Sequence, residues 1–481
     1  MYRMTPESAP NLIGAKSGAT AGAPSTRSPF VRLRELLGDA APGQSPISLA
    51  VGEPQHPIPP FVGSVIAAHV AEFGRYPMNR GLEEFTAAAG QWLDRRYKLP
   101  RRVDPAAEIL VLNGTREGLF LAGIAARNYA ASHAVKRAKP EAKPGAKSGL
   151  GPAVLIPNPF YAAYSAGAIA ADCEPVYLPA TAATGFLPDL DALDNELLAR
   201  TVAFYLASPS NPQGAVADRA YLEKLTALAR QFGFLVLSDE CYCEIYSDRA
   251  PAGMLEAAGA DFANVVVFHS LSKRSSLPGL RVGFAAGDRK FLASYLELRN
   301  VAAPQVPTPL QRVAIAAYGD EKHVEVNRRL YREKFDLADQ IIGGRYNYRR
   351  PAGGFFLWLD VSAYGGSEAV TQRLWREAGL RVVPGRYLAQ EQADGSNPGA
   401  DYIRVAMVQD KAITTDALHR LVAVLGLDTE CAGPKKSCSI KQRFKFSPVP
   451  LIPAKAGIQI EQRKLFSVNE WVPAFAGTSG K

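Results

Sequence analysis

Six short apolar runs punctuate this chain, and they limit what it can fold into more than any other feature. Glu108–Leu112, Ala153–Ile156, Val202–Leu206, Phe234–Leu237, Val265–Phe268 and Val282–Ala286 are each four or five residues long, with no polar alternation. Such runs read as strands buried on both faces. Longer stretches with helical spacing separate them, so the expected class is α/β, a mostly parallel sheet flanked by helices. Every run but the last ends in polar or turn residues: Asn113-Gly114-Thr115, Pro157-Asn158-Pro159, Ser208–Asn211, Ser238-Asp239-Glu240 and His269-Ser270. Ligands of open α/β sheets bind outside the carboxyl ends of the strands, so these five tips point at one site. None carries a GxGxxG or Walker pattern, which argues against a dehydrogenase or an NTPase.

A length of 481 residues and a hydrophobic content of 47% suit two domains with sizeable cores. No basic segment followed by an apolar stretch opens the chain, and no apolar run approaches the roughly 18 residues of a membrane span, so a cytoplasmic protein is expected. Cys173, Cys241, Cys243, Cys431 and Cys438 lack CxxC or Cys/His metal spacing, so neither a disulfide framework nor a metal site is expected. The net charge of +9 is concentrated in two places: residues 431–481 hold nine Lys/Arg against two Glu, and residues 131–150 hold five against one. The remainder is slightly acidic, which is not the composition of a nucleic-acid groove.

Residues 1–28, rich in Ala, Gly, Ser, Thr and Pro, read as a mobile arm. A low-complexity insertion spans 136–151, and a basic tail spans 429–481. In that tail Ile452–Gly457 echoes Val472–Gly477, which resembles translated repetitive noncoding DNA and suggests a read-through extension without a catalytic role. A second, smaller α/β domain is predicted over 310–428. It holds one long helical stretch, Leu310–Asp339, and two strand candidates, Phe355–Leu359 and Tyr402–Met407.

Chemistry concentrates in Ser270–Arg281. Lys273 sits in a hydroxyl-rich turn directly after a buried strand and is a candidate Schiff-base nucleophile. Ser270, Ser272 and Arg281 can hold a phosphate dianion, the handle of pyridoxal 5'-phosphate (PLP). Asp239 is placed to keep a pyridine nitrogen protonated, while Tyr242 and Asn211 can bond the ring's phenolate oxygen. Gly114-Thr115-Arg116 follows a strand and opens a helix, a ready phosphate cradle. Tyr161 is an aromatic able to stack on the ring. Arg404, between Ile403 and Val405, needs an anion: either a ligand carboxylate or an internal Asp or Glu.

Taken together, the order Gly114-Thr115, Tyr161, Asn211, Asp239, Tyr242, Ser270, Lys273, Arg281, with intervals of 28, 34 and 8 residues from Asn211 to Asp239 to Lys273 to Arg281, resembles the aspartate aminotransferase family, class I/II of the fold type I PLP enzymes. The likeness runs from about Arg32 to Leu427. It implies a seven-stranded large domain over 61–309 and a small domain that residues 29–60 join. It implies that Lys273 carries the cofactor and moves the substrate's proton, and that Asp239 pairs the pyridine nitrogen. Asn211 and Tyr242 would hold the phenolate oxygen, with Tyr161 on the ring face. Gly114, Thr115, Arg116, Ser270, Ser272 and Arg281 would surround the phosphate. Gly52 and Arg404, with Asn211, would meet the substrate, and Tyr76 would reach the phosphate of a partner subunit in a homodimer.

Within that family, Val51–Pro57, Asn113–Phe120 and His269–Ser276 are similar to N-succinyl-diaminopimelate aminotransferases of lysine synthesis. The departure of Arg274-Ser275-Ser276 from the usual Thr-Phe points the same way. That implies N-succinyl-L,L-2,6-diaminopimelate as donor and 2-oxoglutarate as acceptor, giving N-succinyl-2-amino-6-oxopimelate and glutamate. A long anionic donor needs cations beyond Arg404, with Arg75, Arg80, Arg116 and Arg386 as candidates. An aspartate, aromatic or 2-aminoadipate aminotransferase, or a PLP β-lyase, is the alternative. A regulator built on this fold would need a DNA-binding module that the N-terminal residues are too few to supply.

Overall fold

The computed structural model describes residues 27–132 and 151–426. The expected arm, insertion and tail therefore lie outside the described residues, apart from Arg27, Ser28 and Gly151. A first short strand, β1 (Ile47–Ser48), precedes the central sheet. That sheet is built from β2 (Ile109–Leu112), β3 (Ala153–Asn158), β4 (Glu174–Pro179), β5 (Thr201–Ala207), β6 (Leu235–Asp239), β7 (Val265–Ser270) and β8 (Gly283–Gly287). Their spatial order is β2-β8-β7-β6-β5-β3-β4. β4, β3, β5, β6 and β7 run parallel, while β8 runs antiparallel to both β7 and β2. The mostly parallel sheet expected from the six apolar runs forms, with the seven strands that the resemblance implied.

Successive side chains of a strand face opposite sides, and here both sides are covered. Leu155, Phe204, Val236, Val267 and Phe284 pack beneath the helices Glu83–Arg96, Arg219–Phe232 and Thr308–Gly319. Leu110, Val154, Tyr205, Leu237 and Phe268 pack on the other face with Thr115–Ser132, Ala162–Ala170 and Arg289–Ala302. Each of these side chains is at most 1% exposed. Full burial of one contributes about 1.5–3 kcal/mol, more than the span of about 1 kcal/mol in strand propensity. The unbroken apolar runs are therefore the cause of the two-sided sheet.

Smaller sheets follow. β9 (Phe356–Asp360), β11 (Val383–Pro384) and β12 (Tyr402–Ala406) are antiparallel in the order β11-β12-β9, and β10 (Leu380–Arg381) pairs parallel with β1. Phe355, Leu357, Val405 and Leu421 form their core together with Leu49.

Two expectations need correction. The helical stretch Leu310–Asp339 is two helices, Thr308–Gly319 and Lys322–Ile341. Asp320 between them is extended, and its carboxylate accepts from the amide of His323 at 3.2 Å, so an acidic side chain starts a new helix where an apolar pattern suggested continuity. β4 is missing from the apolar runs, because an edge strand carrying Pro175 and Pro179 is only partly buried. Among the described residues no helix is long and apolar enough to cross a membrane.

Candidate active site

The site forms where the carboxyl ends of β2, β3, β5, β6 and β7 converge. Asp239 is the last residue of β6. Its Oδ2 accepts from the Tyr164 hydroxyl at 2.7 Å and its Oδ1 from the Cys241 amide at 3.2 Å. Burial still raises its pKa above the usual carboxylate value. Tyr164 is held by stacking on Tyr205, ring centroids 4.6 Å apart, and Tyr205 is tied to the Leu119 carbonyl at 2.7 Å.

Ser270 ends β7 and caps the four-residue helix Leu271–Arg274, its Oγ accepting from the Ser272 amide at 3.1 Å. Lys273 projects from this helix into a pocket where its Nζ donates to the Gly52 carbonyl. The Phe355 ring lies 5.3 Å from Nζ and the Tyr242 ring 5.9 Å. Among the described residues no carboxylate pairs with it, and burial lowers its pKa to about 8. Tyr242 is itself fixed edge-on to Phe355 and Phe356, with burial raising its phenol pKa.

Gly114, Thr115, Ser270 and Arg281 come together beside the lysine's helix. Gly114 has φ +73°, and a Cβ there would run into the Arg281 guanidinium, so only glycine leaves that space open. Arg281 is itself left-handed, φ 56°, with Nη1 donating to the Pro278 carbonyl at 2.9 Å. Thr115 opens the helix Thr115–Ser132, and its Oγ1 lies 3.1 Å from the buried Cys241 thiol. The Ser270 and Ser272 hydroxyls are 2.9 Å apart on the same side. Arg116 Nε donates to the Tyr161 hydroxyl at 2.6 Å, and the Tyr161 ring meets Tyr164 edge-on.

The opposite wall comes from β12 and from the loop after β1. Arg404 is 4% exposed. Its Nη1 donates to Asn211 Oδ1 at 3.1 Å and its Nη2 to the Ala50 carbonyl at 2.6 Å, with its Cζ 4.4 Å above the Phe356 ring. Among the described residues no Asp or Glu neutralises it, its Nε has no partner, and burial lowers its pKa to about 10. The internal salt bridge left open for this arginine is therefore not made. Gly52 packs so that a Cβ would meet the Phe356 ring at 2.6 Å.

Not every candidate is drawn in. Tyr76 is 96% exposed and touches none of these groups within one chain. Arg80 is spent on the Ala106 carbonyl at 2.7 Å, Arg386 lies between Glu368 and Glu391 at 3.7 and 3.9 Å, and Arg75 is exposed beside Tyr76. Arg274, Ser275 and Ser276, read above as a mark of donor choice, face away from the pocket. Arg274 pairs with Glu321 between the rings of Trp92 and Tyr318, Ser275 bonds His323 at 2.8 Å, and Ser276 bonds Asn327 at 3.3 Å. Their role is in the scaffold.

A buried lysine without a counter-ion, an acid at a strand tip, and a glycine-lined face bearing an arginine and hydroxyls are together the donor set that PLP requires. Residues 44–421 match the model of the family described as aminotransferase class I and II. The chain belongs to that family. It is a PLP-dependent transaminase, acting between an amino-acid donor and a 2-oxo acid acceptor. It is 30% identical over 404 residues to the LL-diaminopimelate aminotransferase of Moorella thermoacetica, across 82% of this chain and 95% of that one. An aminotransferase structure from Neisseria meningitidis aligns with TM-score 0.75 and 36% identity, covering 83% of this chain and 97% of the other. A Thermus thermophilus structure, described as a probable N-succinyldiaminopimelate aminotransferase, shares the fold at TM-score 0.70 and 23% identity, over 82% of this chain and all of the other.

Proposed function

We propose that this transaminase acts on a diaminopimelate-type donor, with Lys273, Asp239 and Tyr242 at the catalytic centre. The buried, acid-free Arg404 beside Asn211 supports an amino-acid donor, since a desolvated guanidinium lacking a carboxylate is suited to receive one from a ligand, and the likeness to an LL-diaminopimelate aminotransferase supports the diaminopimelate part. When bound, the cofactor supplies an electron sink for cleavage of the donor's Cα–H bond. Lys273 Nζ would hold the cofactor covalently and, as the free amine, would take up the donor's Cα proton. Its lowered pKa keeps a share of neutral amine available near pH 8, the form that serves as nucleophile and base. Asp239, its carboxylate oriented by Tyr164, would hold the ring-nitrogen proton. Asn211 and Tyr242 would orient the phenolate oxygen, and Tyr161 would cover one face. Gly114, Thr115, Ser270, Ser272 and Arg281 would receive the phosphate, with Arg116 adding its backbone amide at the start of the helix Thr115–Ser132 and keeping its side chain free for the donor.

For the far end of the donor, Arg116 is the favoured cation among the four arginines considered, because it already lies against Tyr161. The N-succinyl form is our primary reading; the LL-diaminopimelate name of the Moorella relative supports the free diamine as the second. We further propose that 29–60 and 310–428 make a small domain against the large domain 61–309, and that two copies pair through the segment bearing the exposed Val70, Phe73, Tyr76 and Met78. Glutamate and 2-oxoglutarate complete the cycle. The test is a half-reaction screen: N-succinyl-LL-diaminopimelate, LL-diaminopimelate, aspartate and tyrosine are each mixed with loaded enzyme, and the loss of bound-cofactor absorbance is timed. Fastest conversion by aspartate or tyrosine would reject both forms of the diaminopimelate reading.

A further inference from the structure

Behind Lys273 lies a polar chain that no step of the reaction has used. Lys334, 2% exposed on the helix Lys322–Ile341, places Nζ 2.8 Å from His56 Nε2 and 3.1 Å from the Met407 carbonyl. His56 Nδ1 lies 2.5 Å from Asn327 Oδ1. Asn327 Nδ2 lies 3.1 Å from two backbone carbonyls, those of Lys273 and Arg274. An ammonium only donates, so Nε2 of His56 accepts, and the imidazole proton therefore sits on Nδ1. That proton goes to Asn327 Oδ1, which leaves the Nδ2 hydrogens for the two carbonyls. Each assignment follows from the one before, and one direction of donation runs from Lys334 to the backbone of Lys273. The neutral ring this needs agrees with His56's environment, where burial and the nearby Lys334 lower its pKa to about 4.

The loop holding His56 also touches Lys273 from the other side. Its Gly52 carbonyl accepts from Lys273 Nζ, and its Ala50 carbonyl accepts from Arg404. Asn327 also takes the Ser276 hydroxyl at 3.3 Å. The segments Val51–Pro57 and Lys273–Ser276, far apart in sequence, thus meet on one asparagine.

We propose that Lys334, His56 and Asn327 are positioning residues for Lys273, a strut that locks the backbone of its turn to the 50–56 loop so that Nζ is aimed from both ends. The inference rests on Lys273 being the residue that carries the cofactor. Arg274 and Ser275 tie one side of this four-residue helix to Glu321 and His323, while Asn327 ties the Lys273 backbone to His56 of the 50–56 loop. A shift of the turn relative to the loop would misplace Nζ against the donor's Cα while leaving the phosphate and carboxylate contacts intact.

The test uses the PLP-loaded enzyme. Borohydride reduction and peptide mapping of the unaltered protein come first: label on another lysine overturns both the Lys273 reading and this inference. With label on Lys273, two variants decide. His56→Phe keeps a ring against Tyr331, 4.4 Å away, but deletes both nitrogens. Asn327→Asp keeps the volume but deletes the two N–H donors. Each is expected to slow single turnover at saturating donor by roughly 10- to 100-fold, with KM within about threefold of the unaltered protein. Each also shifts the pH midpoint of the bound-cofactor absorbance. Because the strut acts as one unit, the double variant should be no more than about twofold worse than the more damaged single. His56→Gln, which retains a donor and an acceptor, should recover most of the rate. Unchanged turnover and absorbance midpoint, even with a lowered melting temperature, would overturn the inference, as would losses that multiply in the double variant. Should His56→Phe not fold, Asn327→Asp decides by the same two readouts.

Discussion

Arg404 on β12 and Asn211 beyond the tip of β5 are joined by a 3.1 Å hydrogen bond, which closes the site with a cation that has no anion of its own. Arg404→Met is therefore expected to separate binding from stability. Truncating a buried, hydrogen-bonded charge costs about 2–5 kcal/mol of binding, so the donor KM should rise by roughly 100-fold or more. Melting of the cofactor-free protein should be unchanged or raised, because an uncompensated buried charge is removed. Steady-state kinetics and calorimetry check the pair. An unaltered KM with a lowered melting temperature would count against the clamp.

Lys273 gives a second prediction with a defined pH window. Burial lowers its pKa to about 8, against about 10.4 in an unfolded chain, so the folded state sheds its proton first. Below pH 8 the folded protein bears the full penalty of a buried ammonium. Between about pH 8 and 10.4 the unfolded state holds the extra proton, and stability rises with pH. Lys273→Met should stabilise the cofactor-free protein at neutral pH by an amount on the order of 3 kcal/mol, shrinking towards zero as pH climbs through that window. Denaturant titrations at several pH values read this directly. The same variant should lose covalent cofactor and turnover altogether.

Tyr164→Phe tests the pairing at Asp239. It removes the 2.7 Å hydroxyl bond and leaves the carboxylate with the Cys241 amide. The tyrosine hydroxyl lowers Asp239's proton affinity, so its loss should raise it further. A hydrogen bond to a charged group is worth about 1.5–3 kcal/mol, and a tenfold or greater fall in single-turnover rate is expected if a good part of that serves catalysis. Asp239→Asn should fall further, by about 100-fold or more. Equal and normal rates in both would remove Asp239 from the centre.

Gly114→Ala probes the phosphate face. A Cβ at φ +73° is strained by about 1 kcal/mol or more, and here it also meets Arg281. Cofactor retention on dialysis should fall by more than tenfold, while donor specificity stays as it was. Full retention would show that this face is not where the phosphate sits.

The central sheet was legible because its strands are short, apolar on both faces, and end in polar tips. Asp239, Asn211 and Lys273 were legible because each sits at a tip, and Arg404 because a charge inside an apolar strand demands a partner. Tyr164 was missed: an aromatic in an apolar helix looks like core, and its acid partner is 75 residues away. The carbonyls of Ala50 and Gly52 leave no side-chain sign at all. Arg274 was misjudged because neighbours in a helix point about 100° apart, so the residue after Lys273 turns into the scaffold. Its partner Glu321 lies at the helix break that the apolar pattern concealed.

The bond between Arg404 and the Ala50 carbonyl spans 354 residues, and it has a consequence for the order of synthesis. A ribosome delivers the glycine face, the acid and the lysine well before the arginine that closes the wall. At about 5–20 residues per second, the turn carrying Lys273 waits several seconds or longer for Arg404 to emerge. During that interval a nascent chain can offer the amine but not the carboxylate clamp. Until then the loop after β1 lacks the donor that its Ala50 carbonyl accepts from, so the wall opposite Lys273 closes late in synthesis.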